Sequence, residues 1–143
     1  VVLRLLGLVA VVAVATGCSG TERNTISGSL VLHSDNLTVQ RSTTSARGPA
    51  ACGGQRGYGD IGPGSRVTVR DGEGEVLAST ALGAGTVVGP GYQTCRFEFS
   101  LADVPGADFY QITVGARDPM TYSADDLRSR GWRVDLTLGD SAN

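Results

Sequence analysis

Eight consecutive residues, Thr94-Cys95-Arg96-Phe97-Glu98-Phe99-Ser100-Leu101, alternate between apolar and polar without a miss. An extended chain turns Cys95, Phe97, Phe99 and Leu101 to one side and Thr94, Arg96, Glu98 and Ser100 to the other, so the stretch is a strand with one buried and one wet face. It holds two of the chain's three Phe and one of its three Cys. That concentration places it at the centre of the core. Aromatics are otherwise few, with four Tyr and one Trp, so Val, Leu, Ile and Ala must do most of the packing.

The flanking sequence repeats the pattern in short pieces. Residues 26–32 form a strand with Ile26, Leu30 and Leu32 in phase, and residues 37–40 are expected to continue the same edge after a turn at Ser34-Asp35-Asn36. Residues 66–70 and 75–80 flank Asp71-Gly72-Glu73-Gly74, a hairpin signal with its turn chemistry in place. Thr86-Val87-Val88 is a further short strand. Residues 109–115 form another, with Tyr110, Ile112 and Val114 buried. A turn around Pro105-Gly106 is expected to fold it back as the antiparallel partner of the central strand. Residues 121–131 carry helix punctuation: Ser123 as N-cap with Asp126 three residues on, Arg128 and Arg130 near the end, and Gly131 as the stop. The chain closes on a strand in which Trp132, Val134, Leu136 and Leu138 share the core side.

Residues 41–64 break the rhythm. No strand pattern is visible there, and a stretch of that length in a compact domain is either functional or tied down. Cys52 supplies a tie, Tyr58 and Ile61 are expected anchors into the core, and Asp60 an acceptor for loop amides. Gln55, Arg56, Tyr58 and Asp60 are the candidate binding residues of this loop. Its glycines do not make a phosphate cradle, because no Lys-Ser/Thr pair opens a helix behind them. Twenty-one Gly in 143 residues is about twice the usual share and implies many tight turns. Six or seven short strands, hairpin turns and one small helix predict an all-β domain over residues 26–143. Its expected form is a β-sandwich, immunoglobulin-like or prealbumin-like, with the helix near the C-terminus. The immunoglobulin signature itself is missing, since no Trp lies between Cys52 and Cys95.

The first seventeen residues are of another kind. Arg4 is followed by an apolar run over residues 5–15, too short to span about 30 Å of hydrocarbon and of the length of a secretion signal's apolar region. The junction Val14-Ala15-Thr16-Gly17-Cys18-Ser19 resembles the lipobox of bacterial lipoproteins, with Ala15 standing where that family usually has Leu. The resemblance implies removal of residues 1–17, acylation of Cys18 and a mature chain anchored on the outer face of the cytoplasmic membrane. Acyl chains on Cys18 together hold a protein where one would be marginal. Residues 18–25 then read as the lipidated Cys and a polar tether. With Cys18 assigned to lipid, an exported chain has Cys52 and Cys95 left, and one disulfide between them is the simplest outcome. It closes a loop of roughly 40 residues, worth about 4 kcal/mol in the chain-entropy account. Beyond the lipobox, Gly57-Tyr58-Gly59-Asp60-Ile61, Val67-Thr68-Val69-Arg70-Asp71-Gly72, Cys95-Arg96-Phe97-Glu98-Phe99, Asp125-Asp126-Leu127 and Gly131-Trp132 together resemble a pattern in small exported lipoproteins of high-GC Gram-positive bacteria. That resemblance implies an envelope location and carries no activity to any residue.

Chemistry is sparse. The formal net charge is −2 and the basic residues, all Arg, are dispersed, which is no nucleic-acid footprint. His33, the only His, sits at a strand end, so no Ser-His-Asp or Cys-His arrangement has independent support, no second His completes a zinc or copper set, and no cofactor is implied. Asp71, Glu73 and Glu75 cluster at the hairpin turn without the loop of an EF-hand and read as a solvated turn. The sequence therefore points to a non-catalytic binding or envelope structural domain, with an envelope protein or glycan as partner. The alternative is a small cell-wall hydrolase working through paired carboxylates, with Asp60, Glu98, Asp108 and Asp118 as the available acids.

Overall fold

The structure, a computed structural model, describes residues 22–41 and 49–139. Cys18, the apolar run and residues 19–21 of the expected tether lie outside the described residues. Ten strands and one helix are present in chain order: β1 (Arg23–His33), β2 (Leu37–Gln40), β3 (Ala51–Gly54), β4 (Arg66–Arg70), β5 (Val76–Ala81), β6 (Thr86–Val87), β7 (Thr94–Pro105), β8 (Phe109–Val114), β9 (Met120–Ser123), α1 (Ala124–Ser129) and β10 (Arg133–Leu138). They make two sheets, β10-β1-β7-β6-β3-β2 and β5-β4-β8-β9. Side chains from both sheets join in one core, with Leu30, Leu32, Phe97 and Leu136 from the first meeting Val67, Val69, Ile112 and Val114 from the second.

The central strand is longer than its alternation. β7 keeps Cys95, Phe97, Phe99 and Leu101 inside, then continues to Pro105 with its phase shifted. Between the pairs Ile26–Leu101 and Asn24–Val104, β7 has two residues, Ala102 and Asp103, where β1 has only Thr25, so β7 carries a bulge. Asp103 takes a left-handed φ of 55° there and stays in solvent, and Val104 turns inward to 0% exposure. The bulge explains why strict alternation stops at Leu101 while the strand does not. β7 and β8 do not pair, contrary to the sequence expectation. The chain crosses between the sheets at residues 106–108, and β8 pairs with β4 and β9 instead.

Three other expectations are corrected by long-range pairing. β2 does not extend the edge of β1. It lies at the far edge of the six-stranded sheet and pairs with β3 alone. β3 falls inside the stretch that shows no strand pattern, because Ala51-Cys52-Gly53-Gly54 has no periodicity to display. It is a strand by virtue of its neighbours, β2 on one side and β6 on the other. β1 begins at Arg23, so the end of the expected tether is already in the sheet. The predicted hairpin is present as β4 and β5, with Asp71 Oδ1 accepting the amides of Glu73 and Glu75 across the turn.

β1 and β10 pair in parallel, from Ser27 opposite Arg133 to Leu32 opposite Leu138. Gly28 sits between β10 and β7 on the inner face, where a Cβ would run into Val134 O and the Phe99 ring. The disulfide joins Cys52 on β3 to Cys95 on β7, 43 residues apart. It passes Gly85, where a side chain would strike Cys95 Sγ and Cys52 O, so glycine leaves the room the cross-link needs.

Two outcomes follow for stability. Replacing Cys52 and Cys95 together by Ala lowers the unfolding free energy by about 4 kcal/mol, read from urea melts of oxidised wild type and variant; a loss under about 1 kcal/mol would mean that the sheet alone holds β3. Gly28→Ala lowers it by about 1–3 kcal/mol through overpacking between three strands.

Candidate functional site

Strand directions separate the molecule into two ends. β8, six residues long, runs from one to the other, a distance of about 20 Å. The β7–β8 crossover, the start of β1, α1 and Trp132 lie at one end. The β8–β9 turn and the loop following β3, which Arg117 of that turn binds at Asp60, lie at the opposite end.

The candidate loop is at the second end, and its residues are held. Arg117, in the β8–β9 turn, donates from both Nε and Nη2 to the carboxylate of Asp60 and from Nη2 to Gly57 O at 2.7 Å. Its guanidinium also lies over the Tyr58 ring, 5.1 Å from the centroid. Asp60 Oδ2 accepts the Ala116 amide as well. Ile61 is buried, Gln55 Nε2 donates to Thr38 Oγ1 at 3.0 Å, and Arg56 sits in a 3-10 turn at φ 53°. Tyr58, Asp60 and Ile61 therefore anchor the loop as expected, although Asp60 bonds an amide of the neighbouring turn rather than one of its own loop. Arg117 escaped sequence analysis because it is 57 residues from Asp60. Partial burial works to raise the Asp60 pKa, and the Arg117 and backbone hydrogen bonds outweigh it, so the carboxyl lies below its ordinary 3.8. Beside the loop, over β3, is a hollow of about 300 Å³ lined by Thr38, Gly53, Ile61 and Pro63 among others, with no charged side chain in its wall.

A larger groove, of about 510 Å³, lies at the first end. Helix α1 positions one wall. Ser123 Oγ accepts the Asp126 amide at its start. At its finish Gly131 turns left-handed at φ 63°, Gly131 N donates to Arg128 O, and Trp132 N donates to Leu127 O. This pair of bonds is a Schellman motif, and it fixes Trp132 immediately beyond the helix. Trp132 thus precedes β10 rather than facing the core from within it, which corrects the sequence expectation. It is half-buried, at φ 60°, and meets the Tyr110 ring edge to face with centroids 5.7 Å apart. The Tyr110 hydroxyl accepts the Ala107 amide and donates to Pro105 O, tying down the crossover.

The remaining walls carry Phe109, 51% exposed, the acids Glu22, Asp108 and Asp125, Arg128, and Asn24. Arg128 donates to Asp125 at 2.7 Å, an exposed pair of small energetic weight. Asn24 Nδ2 is closed off from water and is the only such side-chain atom without a hydrogen-bond partner among the described residues. A covered, unused donor costs about 1–3 kcal/mol. Apart from Asp108, one of the available acids, and Arg128, at the end of the helix, none of these residues stood out in the sequence. The one usable signal was a lone Trp placed directly after a helix-stopping Gly.

The other predicted residues scatter. Of the four acids considered for hydrolysis, Asp108 lines the groove, Asp60 is taken up by Arg117, Asp118 is in the β8–β9 turn, and Glu98 is on the outer face of β7. His33 Nδ1 bonds Thr94 Oγ1 at 3.2 Å. Among the described residues no three His, Cys, Asp or Glu side chains are grouped to hold a metal, and no helix is long and apolar enough to cross a membrane.

Arg117→Met frees residues 55–61 to exchange their amide hydrogens faster and lowers stability by about 1 kcal/mol or less at neutral pH. With the folded pKa of Asp60 depressed, its contribution is complete above the unfolded value near 3.8 and fades as pH falls through the lower folded one. The wild-type and variant stability curves therefore converge below pH 3.8; an unchanged gap there would remove Asp60 from the account.

Comparison with protein-family models, with curated proteins and with solved structures returns no match.

Proposed function

We propose that the chain is an exported lipoprotein, held by Cys18 to the outer face of the cytoplasmic membrane, whose all-β domain is a non-catalytic binding module. The site we assign to it is the groove between Phe109, Trp132 and α1. One observation carries the assignment: a groove of about 510 Å³ exposes Phe109 beside the carboxylates of Glu22 and Asp108. A concave site that combines open aromatic surface with convergent polar groups is where a ligand is expected to bind. An envelope protein or glycan remains the class of partner to which the lipobox resemblance directs attention. The fold is best described as immunoglobulin-like or prealbumin-like. Tyr110 supports that form, because its hydroxyl ties back to the backbone at a corner between sheets, as tyrosine does in immunoglobulin-type sandwiches.

Two measurements test the proposal. Phe109→Ala leaves the urea melt within about 0.5 kcal/mol of wild type, because an aromatic kept open to a ligand carries little of the fold; a loss above about 1 kcal/mol would make Phe109 a structural residue, and the site assignment falls. Cys18→Ala moves the protein from the membrane fraction to the soluble fraction of fractionated cells, and retention in the membrane would contradict anchoring at Cys18.

A further inference from the structure

The groove combines charges that a single ligand chemistry can use. Glu22 and Asp108 are exposed acids with no ion-pair partner among the described residues, and they line the groove together with Phe109 and Trp132. Carboxylates next to open aromatic rings favour an alkylammonium group, held by charge and by the negative face of the rings. The same groove offers the exposed Arg128 guanidinium, which has donors beyond the one bonded to Asp125 and suits a phosphate oxygen. A cation alone would leave that donor unused, and an anion alone would meet the acids. A zwitterion with an amine and a phosphate a few atoms apart uses both.

Chain length then says where such a ligand resides. Glu22 is itself part of the groove wall, and only four peptide units separate it from Cys18, at most about 14 Å of extended chain. Resting on the proposal that Cys18 is acylated, the groove is confined to the edge of the headgroup layer, which is about 5–8 Å deep. The loop containing Tyr58 and Asp60, at the other end of β8, is held away from it. We propose that the groove binds the phosphoethanolamine headgroup of a lipid in the same membrane, the ammonium against Glu22, Asp108, Phe109 and Trp132 and the phosphate at Arg128.

Trp132 is the only Trp in the chain and lines the groove, so its fluorescence reports occupancy directly. The full-length lipidated protein is reconstituted into phosphatidylglycerol vesicles containing increasing fractions of phosphatidylethanolamine. The expected result is a change in Trp132 emission that saturates with the phosphatidylethanolamine fraction and weakens at high salt. The Glu22→Gln/Asp108→Asn double variant and Phe109→Ala each shift half-saturation upward by about tenfold, and thermal melts check that all remain folded. No emission change, or the same change in phosphatidylglycerol alone, overturns the headgroup assignment. Soluble phosphoethanolamine, added at matched concentration, is expected to act far more weakly because tethering raises the local concentration of lipid by roughly a hundredfold or more; an equal response overturns the membrane source. The mass of the N-terminal peptide separates the two layers. Unmodified Cys18 overturns the anchoring and the membrane source with it, whereas lipidated Cys18 without a phosphatidylethanolamine response overturns the headgroup assignment alone.

Discussion

Everything in the fold is hung on the ladder between β1 and β7. It runs the length of the molecule, from Arg23 opposite Pro105 to His33 opposite Thr94, and brings together residues about seventy positions apart. On its inner face Ile26, Leu30 and Leu32 meet Leu101, Phe97 and Cys95, every one of them at or near zero exposure. Each such side chain is worth about 1.5–3 kcal/mol of burial. β10 adds to one side of the ladder, β6 and the disulfide-bound β3 to the other, and the second sheet closes over its inner face. Closing so long a loop costs entropy before any contact repays it, so the ladder needs this dense apolar face to form at all.

The bulge in β7 turns that ladder into a scaffold for a site. By adding a residue at the end of the strand it keeps Val104 in the core, leaves Asp103 in solvent and delivers the chain to the crossover at residues 106–108. There Asp108 O accepts the Ala124 amide at the start of α1, and Glu22 O accepts the Gly106 amide beside β1. One groove is thereby assembled from the beginning, middle and end of the described chain. At the far end Arg117 bonds Asp60 and lies over Tyr58, which ties the candidate loop to the β8–β9 turn.

What could be seen in the sequence was whatever a strand or helix announces locally. The alternation of residues 94–101, the Asp71-Gly72 hairpin and the Ser123 to Gly131 punctuation all became the elements they describe. The Cys52–Cys95 pairing followed from counting. Which strand pairs with which was hidden, because β2, β3 and β6 are short and Gly-rich or polar and owe their form to neighbours. β3 is the plainest case, four small residues that are a strand only because β2 and β6 flank them. The groove was hidden for a related reason. Glu22, Asn24, Asp108, Phe109 and Trp132 come from three distant segments, and nothing local to any of them shows that the bulge and the Schellman motif bring them together.

The central claim is that ligand meets the protein at the end of the sandwich nearest Cys18 and not at the Cys52-bound loop. Amide hydrogen exchange of the full-length protein in phosphatidylethanolamine-containing vesicles, set against phosphatidylglycerol vesicles, tests it most directly. The account predicts slower exchange at residues 22–24, 106–109 and 124–132, with residues 55–61 unchanged. Protection that appears at residues 55–61 while the groove segments stay as they were would contradict it.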